Sequence, residues 1–207
     1  MNYIYLASRS PRRRELLRQI GVRFEPLMLR LTTPRGPDVD EAQQRNETAA
    51  DYVERICREK AHFGLHSLSL RSLLPRPVLA ADTVVILDGQ VIGKPANAAE
   101  AGEFMRRLSG RTHEVRTAVA LGIFEGSDQP NVLQTTNVTQ VTFRKISVDE
   151  IERYCATSEP YDKAGGYAIQ GLAAVFVERI EGSYSGVMGL PLFETAQLLS
   201  RAGVEVL

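Results

Sequence analysis

The chain has 207 residues, of which 43% are hydrophobic and 24% charged, and its 25 basic and 25 acidic side chains give a formal net charge of zero. This length and hydrophobic content predict a single domain over residues 1–207 with a substantial core. The balanced charge argues against an extended nucleic-acid surface and against a disordered polyelectrolyte.

Cysteine usage and hydropathy bear on the compartment. Cys57 and Cys155 lie far apart and form neither a disulfide framework nor a zinc pattern, which fits a reducing environment. No apolar run approaches the roughly 20 residues that a membrane helix needs. The first residues are apolar and then basic, the reverse of a secretory signal. We therefore expect a cytoplasmic protein with no membrane association.

Taken in chain order, apolar and β-branched runs predict seven strands. These strands span Tyr3–Ala7, Val22–Leu29, Val78–Leu87, Gln90–Ile92, Glu114–Phe124, Val132–Arg144 and Ala173–Ile180. Amphipathic stretches predict five helices, and capping boxes are predicted at Asn97 with Glu100 and at Ser147 with Glu150. The helices span Arg12–Ile20, Thr48–Leu65, Asn97–Leu108, Ser147–Thr157 and Pro191–Ala202. This alternation predicts an α/β domain with a mixed β-sheet flanked by helices.

The remaining segments are predicted as connections, since they are polar or rich in Gly and Pro. They span Arg30–Gln44, Ser67–Pro77, Glu125–Asn131 and Glu159–Gly171. Asp88-Gly89 is a strong hairpin signal between the third and fourth strands. Ser10 is the expected N-cap of the first helix, with Pro11 at its first helical position.

Common catalytic signatures are incomplete. Gly89–Pro95 resembles a P-loop, but three residues rather than four separate its glycines, and Pro95 replaces the hydroxyl residue. Gly182–Gly186 resembles a nucleophile elbow with Tyr184 in place of the serine. The three histidines are too scattered for a metal site; His62 and His66 share one helix face and are interpreted as solvated. No familiar nucleotide-hydrolysis motif is therefore intact.

Two polar groups lie in the first 41 residues. Ser8–Arg13 places hydroxyls and guanidinium groups at a helix N-terminus, a geometry suited to phosphate oxygens, although an ordinary helix cap with solvated arginines explains it equally well. Asp38, Asp40 and Glu41 place carboxylates close together in a loop, where they either hold a hard divalent cation or form a polar loop start.

Two further polar groups interrupt apolar or glycine-rich sequence. Asp82 lies within the apolar strand Val78–Leu87, where an ionised carboxylate is costly unless it is paired or serves a ligand. Lys94 follows the hairpin, so it can return an ammonium toward the same place. Glu159–Gly171 combines paired glycines with Gln170, whose amide can read a base edge, or it is a tight structural loop. Together the four groups suit a metal-bound polyphosphate with a specific head group, such as a nucleotide.

Seven short motifs occur in the order found in one known family. They are Leu6–Arg13, Arg58–Ala61, Ala81–Val85, Gly93–Pro95, Leu108–His113, Asp162–Gly171 and Gly189–Leu192. The sequence resembles the Maf-like nucleoside triphosphate pyrophosphatases from Tyr3 to the last helix. The resemblance implies an inosine-triphosphatase-like α/β fold with a deep nucleotide cleft. It also implies hydrolysis of a nucleoside triphosphate to the monophosphate and pyrophosphate with a divalent cation, Mg²⁺ or Mn²⁺.

The resemblance also assigns roles, residue by residue. It implies that Asp82 is the catalytic base and that Glu41 and Asp82 are the metal ligands. The phosphate pocket is implied to contain the side chains of Ser8, Arg12, Arg13, Lys60 and Lys94. The connection Arg30–Pro37 is longer than usual in the family, so Asp40 or Asp38 remains an alternative to Glu41. A homodimer is implied by the resemblance alone.

Three positions bear on the substrate. Family members selective for dTTP and UTP resemble this chain in having Arg12, Thr83 and Gln170. The branch that acts on 7-methyl-GTP typically has an aromatic residue, Gln and Glu at these positions. We therefore expect dTTP and UTP as substrates. Alternatives are a 7-methyl-GTP or broader modified-nucleotide pyrophosphatase, and a nucleotide-binding regulator of cell division with weak hydrolysis.

Overall fold

A computed structural model describes residues 3–30, 37–125 and 129–207, with the side chains of residues 125 and 129 excepted. The chain divides into two compact units. The first unit comprises Met1–Asp82, Thr117–Thr136 and Gly189–Leu207, and the second comprises Thr83–Arg116 and Asn137–Met188. The chain passes from one unit to the other within three strands and once more before Gly189. The prediction of a single domain over residues 1–207 stays a prediction.

The strands form one mixed sheet of seven members. They are β1 (Tyr3–Leu6), β2 (Arg23–Pro26), β3 (Val78–Leu87), β4 (Gln90–Ile92), β5 (Thr112–Glu125), β6 (Gln129–Phe143) and β7 (Val177–Glu181). Hydrogen-bonded neighbours follow the order β2-β1-β3-β5-β6-β7, and β4 pairs with β3. β1 is parallel to both β2 and β3, whereas β4 is antiparallel to β3 and β7 is antiparallel to β6. The predicted mixed α/β architecture is confirmed.

Six α-helices accompany the described strands. They are α1 (Pro11–Gln19), α2 (Ala49–Leu70), α3 (Ala98–Leu108), α4 (Val148–Cys155), α5 (Tyr184–Met188) and α6 (Leu192–Arg201). Short 3₁₀ helices occupy Glu159–Asp162, Ala164–Gly166 and Leu172–Phe176. No helix in the described part of the chain is long and apolar enough to cross a membrane.

In the first unit, α2 packs closely on strand β3. Its apolar residues recur at helical spacing, so Val53, Ile56 and Ala61 are fully buried. Gly64 permits the approach, because a Cβ at this position would lie 2.6 Å from Cγ1 of Val78. A larger residue would therefore push the helix away from the strand that carries Asp82.

In the second unit, the core contains an aromatic cluster. The rings of His113 and Tyr167 meet edge to face with centroids 5.4 Å apart, and Phe143 contacts both. Nε2 of His113 lies 2.8 Å from the hydroxyl oxygen of Tyr167. This cluster fixes Tyr167, which precedes Gln170 by three residues.

Three structural predictions are corrected, and one helix is added to them. α2 continues to Leu70 rather than ending at Leu65, because Ser67 and Leu68 are buried and extend its apolar face. The predicted strand Ala173–Ile180 begins only at Val177, since the preceding residues form a 3₁₀ helix. The helix α5 was not predicted. The capping box of α3 is incomplete: Asn97 accepts from the Glu100 N–H, but the Glu100 carboxylate accepts from the N–H of Ala96.

Two predicted connections reach residues outside the described part of the chain. They are the loop 30–44, which includes residues 31–36, and the loop 125–131, which includes residues 126–128.

His62 and His66 are both exposed on α2, as expected for solvated histidines.

Candidate active site

The junction between β1 and α1 presents hydroxyl and guanidinium groups in fixed positions. Ser10 caps α1, and its side chain accepts from the N–H of Arg13. The Ser8 hydroxyl accepts from the N–H of Ser10 at 3.2 Å and from NH1 of Arg13 at 3.1 Å. Nε of Arg13 donates to the carbonyl of Gly189 at 2.7 Å. Ser8, Arg13 and the helix N-terminus are thus held together.

Two of the three arginines at this junction are partly enclosed, whereas Arg9 is exposed. Arg12 and Arg13 are half-buried in the first turn of α1. Burial lowers the pKa of Arg13, and the charges of Asp82 and Glu41 oppose that effect. Because an arginine stays protonated despite such a change, the junction keeps its positive charge.

Lys60 joins the two predicted metal ligands. From α2 its Nζ lies 2.8 Å from Oδ1 of Asp82 on β3 and 2.8 Å from Oε1 of Glu41. The Lys60 and Asp82 side chains are only 15% and 19% exposed. Burial lowers the pKa of Lys60, but the Asp82 and Glu41 carboxylates outweigh it and hold the pKa above its ordinary value. Lys60 is therefore a protonated ammonium between two carboxylates.

The three acidic residues considered as alternatives at the loop have different contacts. The carboxylate of Asp38 accepts from the N–H and Nε of Arg30, at 2.6 and 2.7 Å. Asp40 accepts from the N–H of Ala42 at 3.0 Å. Among the described residues, Glu41 is the one of the three that forms an ion pair with Lys60. The structure therefore places Glu41, rather than Asp38 or Asp40, beside Asp82.

The donor set around Lys60 fits a hard divalent cation. Oε1 of Glu41 and Oδ1 of Asp82 both contact one ammonium, so these oxygens lie no farther apart than twice 2.8 Å. Mg²⁺ commonly binds through one or two carboxylates together with substrate phosphates. Within residues 3–30, 37–125 and 129–207, no group of three or more His, Cys, Asp and Glu is positioned to hold a metal. A cation held by these two carboxylates would take its other ligands from water or phosphate oxygens.

The other predicted site residues belong to the second unit. Thr83 follows Asp82 on β3 and is half-buried, while Lys94 and Gln170 are exposed. The N–H of Gly165 donates to the carbonyl of Gly93 at 2.9 Å, so the segments that carry Lys94 and Gln170 are joined. Gly165 has φ +72°, and a Cβ there would lie 2.8 Å from Cγ2 of Val85. Glycine at position 165 permits this close approach.

Glu159 organises the segment that ends at Gln170. Its carboxylate accepts from the N–H groups of Leu172 and Ala173, at 2.7 and 3.0 Å. The Tyr154 hydroxyl lies within hydrogen-bond distance of both Glu159 Oε1 and the Gly166 carbonyl. The sequence marks Glu159 only as the start of a polar loop, and its role as an anchor was not predicted.

Two residues of α2 were also not predicted. Arg55 and Tyr52 contact the loop that carries Glu41, with the Tyr52 hydroxyl donating to the Glu41 carbonyl at 2.9 Å. Their side chains are half-buried on the polar side of an amphipathic helix. In sequence, a half-buried arginine on a helix looks the same as a solvated one. No sequence signal therefore identifies Arg55 and Tyr52 as contacts of this loop.

The first unit thus holds hydroxyl, guanidinium, ammonium and carboxylate groups that suit a polyphosphate with its cation. The model of the Maf family, described as "Maf-like protein", matches residues 3–202. The chain belongs to this family.

Individual relatives carry a more specific name. A dTTP/UTP pyrophosphatase of Aromatoleum aromaticum is 55% identical over 202 residues, covering 97% of this chain and 95% of that protein. Proteins of the same name from Nitrosospira multiformis and Nitrosomonas europaea are each 52% identical over 205 residues, covering 99% of this chain and 97% of each relative. A solved HAM1 protein from Coxiella burnetii is 19% identical, with a TM-score of 0.48 over 97% of this chain and 100% of that chain.

Proposed function

We propose that the chain is a nucleoside triphosphate pyrophosphatase that hydrolyses dTTP and UTP to the monophosphate and pyrophosphate. The observation that carries the proposal is the contact of Lys60 with both Asp82 and Glu41, at 2.8 Å each. A lysine and two carboxylates in one place suit a phosphate group and its cation. The relatives named dTTP/UTP pyrophosphatase, of which one is 55% identical, support the choice of substrate.

The cationic groups bind the triphosphate. Ser8, Arg12 and Arg13 surround the N-terminus of α1, where free backbone N–H groups and the helix dipole favour anions. Lys60 and Lys94 supply compact ammonium charges to the phosphate oxygens. By neutralising charge on the leaving pyrophosphate they stabilise the transition state more than the ground state.

Asp82 is the proposed catalytic base. Its carboxylate orients a water molecule and accepts its proton as the water oxygen bonds to the α-phosphorus. The bond between the α-phosphorus and the bridging oxygen then breaks, and pyrophosphate leaves with the electron pair. Glu41 and Asp82 would hold the Mg²⁺ or Mn²⁺ ion, whose charge, when it is bound, polarises the phosphate oxygens. Little covalent chemistry is required of the protein, so positioning and electrostatics carry the rate.

Substrate choice is assigned to three side chains. Arg12, Thr83 and Gln170 are the residues that the family resemblance associates with dTTP and UTP. Gln170 offers an amide donor and acceptor from an exposed position next to the Glu159 anchor. Gln170→Glu should therefore reduce the preference for pyrimidine nucleotides before it reduces turnover.

A nucleotide panel tests the proposed activity. The protein is incubated with Mg²⁺ and dTTP, UTP, CTP, dCTP, GTP, ATP or 7-methyl-GTP, and pyrophosphate and orthophosphate are measured separately. We expect pyrophosphate from dTTP and UTP, little from the others, and a loss of orders of magnitude in kcat for Asp82→Asn. Turnover of 7-methyl-GTP alone would overturn the substrate assignment. Nucleotide binding with no turnover under any metal would favour the regulator of cell division.

Further proposals concern the setting of the reaction. The small-molecule nucleotide is the expected partner, and a homodimer is proposed from the family resemblance. A cytoplasmic location without membrane association is proposed from the cysteine usage and the hydropathy of the sequence. Light scattering at several protein concentrations tests the oligomeric state, and a mass near that of one chain would contradict the homodimer.

A further inference from the structure

The acidic loop is the loop that carries Asp38, Asp40 and Glu41. Side chains of α2 hold three successive carbonyl groups in this loop. NH1 of Arg55 donates to the carbonyl of Asp40 at 3.3 Å, and NH2 of Arg55 donates to that of Ala42 at 2.9 Å. Between them the Tyr52 hydroxyl donates to the carbonyl of Glu41 at 2.9 Å. The backbone of Glu41 is therefore fixed at the residue itself and on both sides.

The guanidinium that holds this loop is itself fixed. Nε and NH2 of Arg55 donate to the two carboxylate oxygens of Glu47 at 2.6 and 2.9 Å, a bidentate pair. NH1 of Arg55 also donates to Glu59 at 3.3 Å. With the carbonyls of Asp40 and Ala42, these acceptors match the five N–H donors that a guanidinium carries. Glu47 further accepts from the N–H of Gln44 at 2.9 Å, which fastens the end of the loop.

The side chain of Glu41 needs this support. It is 48% exposed, and its carboxylate forms an ion pair with Lys60. Ion pairs exposed to that degree contribute little on their own, because solvent screens the charges and both side chains lose rotamer freedom. A defined place for the Glu41 carboxylate therefore depends on the fixed backbone beneath it.

We infer that Arg55 and Tyr52 are positioning residues, which hold Glu41 at the cation site beside Asp82. This inference rests on the proposed function for the identity of the site. Neither side chain touches the reacting atoms; both act through the backbone of residues 40–42. Replacing a residue that contacts and orients a metal ligand typically changes metal affinity by about 10- to 100-fold.

Mn²⁺ binding to the full chain tests the inference without turnover. The free Mn²⁺ signal in electron paramagnetic resonance gives the dissociation constant, measured with the non-hydrolysable α,β-imido analogue of dUTP. Arg55→Lys keeps the charge but has three donors in place of five, so it cannot make all the contacts of the guanidinium. We expect its Mn²⁺ dissociation constant to rise about tenfold, with a smaller rise for Tyr52→Phe.

Two controls separate positioning from a general loss of structure. Arg45→Lys makes the same substitution at an exposed position shortly before α2 and should leave the dissociation constant for Mn²⁺ unchanged. In a Glu41→Gln background, Arg55→Lys should have no further effect, because residues that act through one group are not additive. A rise of similar size with and without the Glu41 carboxylate would overturn the inference.

The outcome also distinguishes this inference from the proposed function. Unchanged Mn²⁺ affinity in Arg55→Lys and Tyr52→Phe, with a parent chain that hydrolyses dTTP, would overturn the inference and leave the activity standing. Weakened Mn²⁺ binding in the two variants, together with a parent chain that hydrolyses no nucleotide, would support the positioning role and refute the activity. A lower melting temperature without a change in Mn²⁺ affinity would show a purely structural role and would also overturn the inference.

Discussion

The buried His113 predicts a loss of stability in mildly acidic solution. It is 2% exposed, lies in the aromatic core of the second unit, and contacts the hydroxyl of Tyr167 at 2.8 Å. Burial lowers its pKa from 6.5 to about 4. Between these values the unfolded chain binds a proton that the folded chain does not, so stability is lost as the pH falls from about 6.5 toward 4. Linkage gives a loss of about 2 kcal/mol between pH 7 and pH 5.

His113→Gln isolates this contribution. The amide can still meet the Tyr167 hydroxyl, but it does not titrate. The free energy of unfolding is measured in urea by circular dichroism at pH 7, 6 and 5, since the chain contains no tryptophan. We expect the parent chain to lose about 2 kcal/mol more than His113→Gln over this range. His62→Gln, at an exposed position, is the matched control and should follow the parent.

The reasoning would be refuted by equal losses of stability in the parent and in His113→Gln between pH 7 and pH 5. Such a result would mean that the folded chain admits a proton at His113 as readily as the unfolded chain does. The core around Tyr167 would then be open to water, contrary to its 5% exposure.

Two other predictions concern stability. Hydrogen bonds from Arg144, and then from Ser147, lower the pKa of Glu150 from 4.5 to about 2, so its contribution is present above 4.5 and disappears as the pH falls toward 2. Glu150→Gln should therefore show a shallower acid unfolding curve by circular dichroism, and superimposable curves would contradict this. Gly165→Ala adds a Cβ 2.8 Å from Val85 at φ +72°, so we expect the free energy of unfolding to fall by about 1–3 kcal/mol. Gly89→Ala has a similar φ of +75° with nothing within 4 Å, and should lose less; equal losses would show that the contact with Val85 is immaterial.

Sequence patterns correctly predicted the turns and helix caps that depend on residues close together in the sequence. The bounds of β3 and β4 are confirmed to the residue, because Asp88 and Gly89 both take positive φ, as a two-residue hairpin turn requires. The N-caps at Ser10 and Ser147 are also confirmed. An N-cap depends on two residues only three positions apart, so it too is decided by local sequence.

Elements that depend on distant contacts were predicted less well. The residues before Val177 have strand-like composition, yet the Glu159 carboxylate accepts from the N–H groups of Leu172 and Ala173 and stabilises a 3₁₀ helix. No local pattern reveals an acceptor 13 residues away along the chain. The same reason explains why the end of α2 was placed five residues too early, since tertiary packing buries Ser67 and Leu68 in its last turn.

The candidate site was predictable in part. Asp82 is conspicuous in sequence because a carboxylate interrupts an apolar strand, but its partner Lys60 lies 22 positions away and was assigned by resemblance. The choice of Glu41 over Asp40 and Asp38 needed the loop conformation. Arg55 could not be assigned a role, because its contacts to residues 40 and 42 depend on how the chain returns from the acidic loop.

The division of the chain into interleaved segments governs the order in which the site can be completed during synthesis. Arg13 is translated early, yet its Nε donates to the carbonyl of Gly189, 176 positions later. At ribosomal rates of about 5–20 residues per second, roughly 9–35 s separate the two. A nascent chain therefore carries the Ser8–Arg13 junction and the Lys60 contact well before Gly189 can close the arrangement. The candidate site is complete only after Gly189 has been synthesised, so a fragment released before that residue would contribute no finished site to the cell.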